Sequence, residues 1–335
     1  MKKNSKILLA HGSGGQLMHN LIRDLILPNF SNPLLNRLTD SAVIGFKEKG
    51  LAFTTDSFVV HPLFFRGGDI GKLAVSGTIN DLVVSGAKPL YLSLALIIEE
   101  GLDYSLLERV VESISFASRK SRVKIITGDI KVVDRRACDK LFINTAGIGR
   151  VIRALKIKNI KIGDRIIITG RIAEHGLSIL SQRKGMDLGL NIRSDCASLE
   201  RLLIPLLHKT KTIKFMRDPT RGGLATTLNE IAKATNFGIV IQERKLPISN
   251  QVRAASELLG IDPLYIANEG KAILVVEANS ARDILKYLNR HQQGRYAQII
   301  GRIVKQPEGR VLLKTAVNTE RILDMLTSEP LPRIC

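Results

Sequence analysis

Short apolar runs alternate along this chain with longer stretches whose apolar residues recur every three or four positions. The short runs predict strands at 51–54, 91–98, 123–126, 141–144, 165–169, 238–241 and 272–276. The longer stretches predict amphipathic helices over 70–85, 104–118, 175–184, 222–235 and 281–290. Such a mixture implies an α/β (α+β) protein. The polar, turn-forming segment Lys156 to Lys161, followed by Gly163 and Asp164, interrupts the pattern, so a boundary is expected there between residues 1–155 and 156–326. Beyond that, Pro330 and Pro332 fix φ and oppose helix formation, which makes 327–335 an extended, flexible tail. Neither an internal repeat nor a low-complexity tract is visible.

Composition narrows the class. The 335 residues are 44% hydrophobic, enough for about two domains. No apolar run reaches the roughly 18 residues that span a bilayer. The basic start Met1 to Lys6 is followed only by the short apolar stretch Ile7 to Ala10, too brief for a secretory core, so a cytoplasmic address and no membrane partner are expected. Three widely spaced cysteines, Cys138, Cys196 and Cys335, argue against a disulfide framework or a zinc knuckle. The net charge of +19 raises the question of nucleic acid. With 4% aromatics, no tryptophan and no helix-turn-helix, RNP or zinc-finger signature, no nucleic-acid partner is expected. A basic surface that favours anionic nucleotides or an acidic protein fits better.

Candidate chemistry is spread along the chain. Cys335 is the last residue, a thiol on an arm that can carry a covalently attached group into a pocket. Ser13, Gly14 and Gly15 form a small-residue loop ahead of a helical pattern, where backbone N–H groups can approach a phosphate. Asp56 ends a strand-like run, Asp81 follows Asn80 late in the first clear helix, and Asp129 follows the strand Val123 to Ile126. Carboxylates in such places are how α/β sites hold magnesium over phosphates, although a single aspartate more often caps a turn. Arg217, Asp218 and Arg221 precede Gly222-Gly223 and a helix, a plausible clamp for an anion or a magnesium-nucleotide. Glu269 and Lys271 stand just before the strand 272–276.

Together these segments resemble one family, the HypE hydrogenase maturation factors, within the aminoimidazole-ribonucleotide-synthetase-like ATP-binding superfamily. The resemblance rests on HGSGGQ at 11–16, TTDSFVVHPLFF at 54–65, GGDIGKLAVSGTINDL at 67–82, KPLYLSLALIIEEGL at 88–102 and TGDIKVVD at 127–134. It continues through MRDPTRGGLATTLNEIA at 216–232, LLGIDPLYIANEGK at 258–271 and the terminal PLPRIC. Related ATP-binding families share the aspartates and glycines but not a terminal cysteine. The chain departs from the pattern at Ile130, where threonine is usual, at Arg66 in place of proline, and at Val317 to Thr319, which lack a glycine pair.

This resemblance implies a two-domain protomer that forms a homodimer through its N-terminal sheets and holds ATP between domains. It also implies that Cys335 receives a carbamoyl group from a HypF-type carbamoyltransferase, and that ATP drives dehydration of this thiocarbamate to a thiocyanate. The cyano group then passes to an iron-carrying HypC–HypD-type complex. Carried over by motif, Asp56, Asp81, Asp129 and Asp218 hold Mg2+ and phosphate, joined at the nucleotide by Asn80. Ser13, Gly14 and Gly15 supply backbone contacts, Arg217 and Arg221 meet phosphate charge, and Glu269 with Lys131 forms a base and relay at the thiol. Two other readings stay open. A sister ATP-dependent synthetase or kinase would keep the aspartates and not need Cys335, and a non-catalytic maturation scaffold would tolerate its loss.

Overall fold

The computed structural model describes residues 6–8, 11, 20–33, 35–37, 50–183, 191–325 and 333–335. The first half runs β1 (Leu51–Phe58), β2 (Phe64–Phe65), β3 (Gly68–Asp69), α1 (Ile70–Val84), β4 (Ala87–Glu99), α2 (Tyr104–Lys120), β5 (Lys124–Val133) and β6 (Leu141–Val151). Its sheet has the order β1-β6-β4-β5, with β4 and β5 parallel and the other pairs antiparallel. Helix α2 makes the crossover that a parallel pair requires. Helix α1 is apolar on every side, which is why it is buried almost throughout, against the sheet and α2. Asp69 caps it, accepting N–H bonds from Gly71 and Lys72 at 2.8 and 3.0 Å.

Among the described residues, only one face of this sheet is covered. Along β1 burial alternates, with Leu51, Phe53, Thr55 and Ser57 exposed while Thr54 and Asp56 are half-buried. Phe53 lies beside Ile148 of β6, which lies beside Tyr91 of β4, so the open face carries an apolar row.

The second half contains β7 (Arg165–Ile168), α3 (Glu174–Leu180), α4 (Glu200–Lys209), β8 (Ile213–Arg217), α5 (Gly223–Thr235), β9 (Gly238–Gln242) and α6 (Asn250–Leu259). It continues with β10 (Ile273–Val276), α7 (Ala281–Asn289), β11 (Gln298–Val304), β12 (Val311–Lys314) and β13 (Glu320–Ile322). These strands form one sheet in the order β13-β12-β9-β11-β7-β10-β8. Strand β10 is apolar at every position because both faces are covered. Ile273 and Val275 pack with α5, whereas Leu274 and Val276 join the larger core that continues through α4 and α1 to the first sheet. The two halves therefore share a core.

The expected strands are all present, most of them longer than the sequence pattern suggests. The helix expected at 175–184 ends earlier, at Leu180, and α4, β8, α6, β11, β12 and β13 are elements the pattern did not mark.

Candidate active site

Strand β1 points Thr54 and Asp56 toward α1. Thr54 Oγ1 donates to Asp81 Oδ2 at 2.8 Å, and Asp56 Oδ1 accepts from the N–H of Ser57 at 2.8 Å. Across the junction, Asp218 follows β8 in a loop that turns into α5 through Gly222 and Gly223, both at positive φ (72° and 59°). A Cβ on Gly223 would stand 2.6 Å from the carbonyl oxygen of Leu264, so only glycine fits this approach. Asn268 fastens the neighbouring segment, its Nδ2 donating to the carbonyl of Pro219 at 2.9 Å. That contact sets Glu269 beside Asp218.

Four carboxyl groups thus converge on one place, and each is shifted toward its neutral form. Burial raises Asp56, with Asp81 adding to the shift while Ser57 N–H and Arg221 oppose it. Burial also raises Asp81 against the Thr54 bond and Arg217. Asp218 is pushed up to about 7 by burial and by Asp81, its own N–H and Arg217 opposing and Asp56 adding. Glu269, 4% exposed, is raised well above the usual range by burial and then by Asp218, Asp195, Asp56 and Asp81. Hard oxygen donors in mutual repulsion suit a divalent cation. Among the described residues, no three His, Cys, Asp or Glu side chains make a ready metal cage. This donor set fits magnesium, which keeps waters and takes one or two carboxylates plus phosphate oxygens. A cavity of about 610 Å³, bordered by Thr54, Asp81, Arg217, Asp218 and Thr220, opens beside the cluster. Arg217 at its edge is paired with Glu230 at 2.9 Å.

Behind Glu269 lies a rigid shelf. Asp195 accepts the N–H groups of Glu269 and Gly270 at 3.1 and 3.2 Å and pairs with Lys271 Nζ at 3.2 Å. A Cβ on Gly270 would stand 2.0 Å from the carbonyl oxygen of Asp195, so the shelf closes only over glycine.

The chain terminus comes to the far end of β1. The carbonyl of Cys335 accepts from Val59 N–H at 3.2 Å, and that of Arg333 from His61 N–H at 3.2 Å, so the tip pairs with the strand's continuation. Arg333 reaches Asp139 at 2.7 Å, Arg183 donates to the Arg333 carbonyl at 2.9 Å, and Ile334 is 2% exposed in the main core. Cys335 is half-buried and in no disulfide.

Two family models match this chain: the AIR synthase related N-terminal domain over residues 38–151 and the C-terminal domain over 161–314. The chain is 44% identical over 336 residues to the carbamoyl dehydratase HypE of Bradyrhizobium diazoefficiens, covering 99% of this chain and 97% of that protein. The chain belongs to the HypE family. The crystal structure of a HypE in complex with ATP superposes with a TM-score of 0.94 at 46% identity, over 98% of this chain and 99% of that one. A HypE from a HypE–HypF complex gives 0.80 at 42% identity, over 91% and 99%.

Against this HypE-family background the expected site residues fall into five groups. Asp56, Asp81, Asp218, Glu269, Arg217 and Arg221 are brought together. Cys335 lies at the end of the strand that bears Asp56. Asp129 and Lys131 are not with them: they stand on β5 with a 3.7 Å contact to each other. The register Asp129–Ala95–Asn144–Ser57 puts three strand spacings, about 14 Å, between Asp129 and β1. Within one protomer Lys131 therefore does not form a relay with Glu269. Asn80 is buried and its amide serves the main chain, donating to the carbonyls of Ala197 and Glu269 at 3.1 and 3.3 Å and accepting from Leu199 N–H at 2.8 Å. Both its N–H groups are engaged, so it is a tie between halves and has none left for a nucleotide. Ser13, Gly14 and Gly15 lie outside the described residues.

Sequence reasoning missed Asp195, Asn268 and His175. Asn268 adjoins Glu269 in the motif and was within reach. His175 and Asp195 carry no spacing signal.

Proposed function

We propose that this chain is an ATP-dependent carbamoyl dehydratase that carries its own substrate. A carbamoyl group on the Cys335 sulfur is phosphorylated on its oxygen by the γ-phosphate of ATP, losing one N–H proton to a base and releasing ADP. Loss of phosphate and the remaining N–H proton then leaves the thiocyanate, with the carbamoyl oxygen departing in the phosphate. The observation that carries this reading is the place of Cys335. Its carbonyl bonds to Val59, three residues, or about 10 Å of extended strand, from Asp56 of the carboxylate cluster. A sister synthetase or a scaffold has no use for a terminal thiol docked there.

Magnesium, when bound by Asp56, Asp81 and Asp218, would neutralise phosphate charge. The protein's own share is to orient and move protons. Arg217 and Arg221 face the developing phosphate charge. Glu269, which burial and the neighbouring carboxylates shift toward its neutral form, is suited to proton exchange at the thiol. The same reading treats residues 1–155 as the nucleotide-binding, pairing half, 156–326 as its counterpart and 327–335 as the carrier arm. It assigns a HypF-type carbamoyltransferase as donor, in line with the HypE–HypF complex of a relative. By family resemblance the acceptor is an iron-carrying HypC–HypD-type complex. ATP use and three cysteines in no disulfide fit a cytoplasmic setting. The open sheet face would pair two copies, and Asp129 and Lys131, which lie on that side, would enter the chemistry only through such a pair.

Intact-mass spectrometry with a carbamoyltransferase, carbamoyl phosphate and ATP-magnesium tests the reading. Wild type should gain about 43 Da, falling by about one water with ATP, and Cys335→Ser should gain nothing. With carbamoyl oxygen labelled as 18O, the label should appear in phosphate. An unmodified wild type beside a demonstrably active transferase overturns the proposal.

A further inference from the structure

His175 lies on α3, fully buried, with no part in the carboxylate cluster. Its Nε2 stands 2.6 Å from the carbonyl oxygen of Ile334, and its Nδ1 stands 2.8 Å from Ser194 Oγ. A carbonyl only accepts, so Nε2 carries the proton. Ser194 Oγ already accepts from the N–H of Cys196 at 3.0 Å, which leaves its hydroxyl proton free for Nδ1. The chain Cys196 N–H, Ser194 O–H, His175 N–H, Ile334 C=O runs in one direction and satisfies every member with a neutral imidazole. Burial favours that neutral state, against the pull of nearby Asp195 and of the Ile334 bond.

The parts that hold the imidazole are themselves fixed. Ser194 N–H donates to the carbonyl of Arg66 at 2.7 Å, and Ser178 Oγ donates to the same oxygen at 2.9 Å. Phe65 meets the ring edge-on at a centroid distance of 5.6 Å. Arg66 and Phe65 belong to the small ribbon of β2 and β3, so the first half, the second half and the terminus meet at one side chain.

We propose that His175 is a positioning residue for the terminal thiol, locking the tail's main chain one residue before Cys335 and so setting where the sulfur lies. The outer contacts, Arg333 with Asp139 and Arg183 with the Arg333 carbonyl, are exposed and weaker in water. The inner bond is dry, directional and adjacent to the cysteine. This inference concerns where the thiol rests and stands whether or not the thiol carries a carbamoyl group.

Alkylation of Cys335 by iodoacetamide, read by intact mass in a Cys138→Ser background, measures the lock directly. Cys196 is 1% exposed and its thiol is pushed up by burial, so it reacts slowly. His175→Leu, which keeps bulk and loses the N–H, should speed alkylation about ten-fold, the factor for one buried hydrogen bond of about 1.4 kcal/mol. His175→Gln, whose side-chain amide can donate from a similar place, should stay within about two-fold of the parent. A cooperative melt for each variant shows that the fold is kept. Equal rates in the Leu and Gln variants, raised or not, overturn the assignment. Should His175→Leu fail to fold, 15N NMR of the full-length wild type decides: a proton on Nε2 is required, and an Nδ1-protonated ring overturns the lock.

Discussion

Asp218 titrates near pH 7 in the folded protein, whereas an aspartate in an unfolded chain titrates near pH 4. Between roughly those two values the fold holds a proton that the unfolded chain has lost. The stability tied to that proton is complete below about pH 4 and is lost as the pH rises toward 7. Calorimetry without magnesium should therefore show the melting temperature falling from pH 5 to pH 8, and Asp218→Asn should flatten that fall. Glu269, shifted the same way, leaves a residual slope. Magnesium added at pH 8 should raise the melting temperature of wild type more than that of the variant. Identical slopes in the two proteins would contradict the charge cluster. Most of the cluster was legible in the sequence as a set, since one such aspartate more often caps a turn but several in comparable contexts point to a shared site; Asp129, which carries the same signal, stands apart on β5. His175 was not, because one histidine in an apolar helix has no periodicity to betray it, and its partner is 159 positions away.

At the scale of elements, α1 does more than fill the core. Asn80 ties it to the segment 195–199 and to the Glu269 loop through bonds to Ala197, Leu199 and Glu269. Asn80→Ala would leave two carbonyls and one N–H buried without these bonds, a cost of roughly 3 kcal/mol. A fall of several degrees in melting temperature should follow. Dehydratase activity should drop as well, since the loop bearing Glu269 loses an anchor. An unchanged melting temperature would mean that water replaces the amide and the tie is dispensable. The helix itself was legible from its apolar run. Other elements hid for identifiable reasons. Strand β8 reads as a charged stretch, but half-buried Lys214 makes a 2.8 Å pair with buried Asp164, so its charge is compensated. Helix α4 carries Pro205 in its interior and is held by packing on Leu202, Leu203, Leu206 and Leu207 in place of intrinsic propensity. Strand β11 is broken by a register shift between Ile299 and Gly301, which blurs its alternation.

For the molecule as a whole, the unexplained surface is the open side of the first sheet. Phe53 is 68% exposed, Leu51 52% and Ile97 40%, and register places Phe53 beside Ile148 and Ile97 beside Phe142. An apolar row on a sheet face is a surface that water disfavours, and α1 and α2 already cover the opposite side. A second copy of the same sheet presents the matching row under two-fold symmetry, which makes the contact self-complementary. Phe53→Asp tests this with little risk to the protomer, because the side chain it replaces is mostly in solvent. Sedimentation velocity should find wild type as a dimer and Phe53→Asp as a folded monomer with unchanged circular dichroism. If dehydration also falls in that monomer, Asp129 and Lys131 act through the pair, because within one protomer Asp129 lies three strands from the carboxylate-bearing β1. If the monomer stays fully active, the pair is structural and those two residues have no share in the chemistry. A wild type that sediments as a monomer at micromolar concentration removes the homodimer from the reading and leaves the open face to another partner.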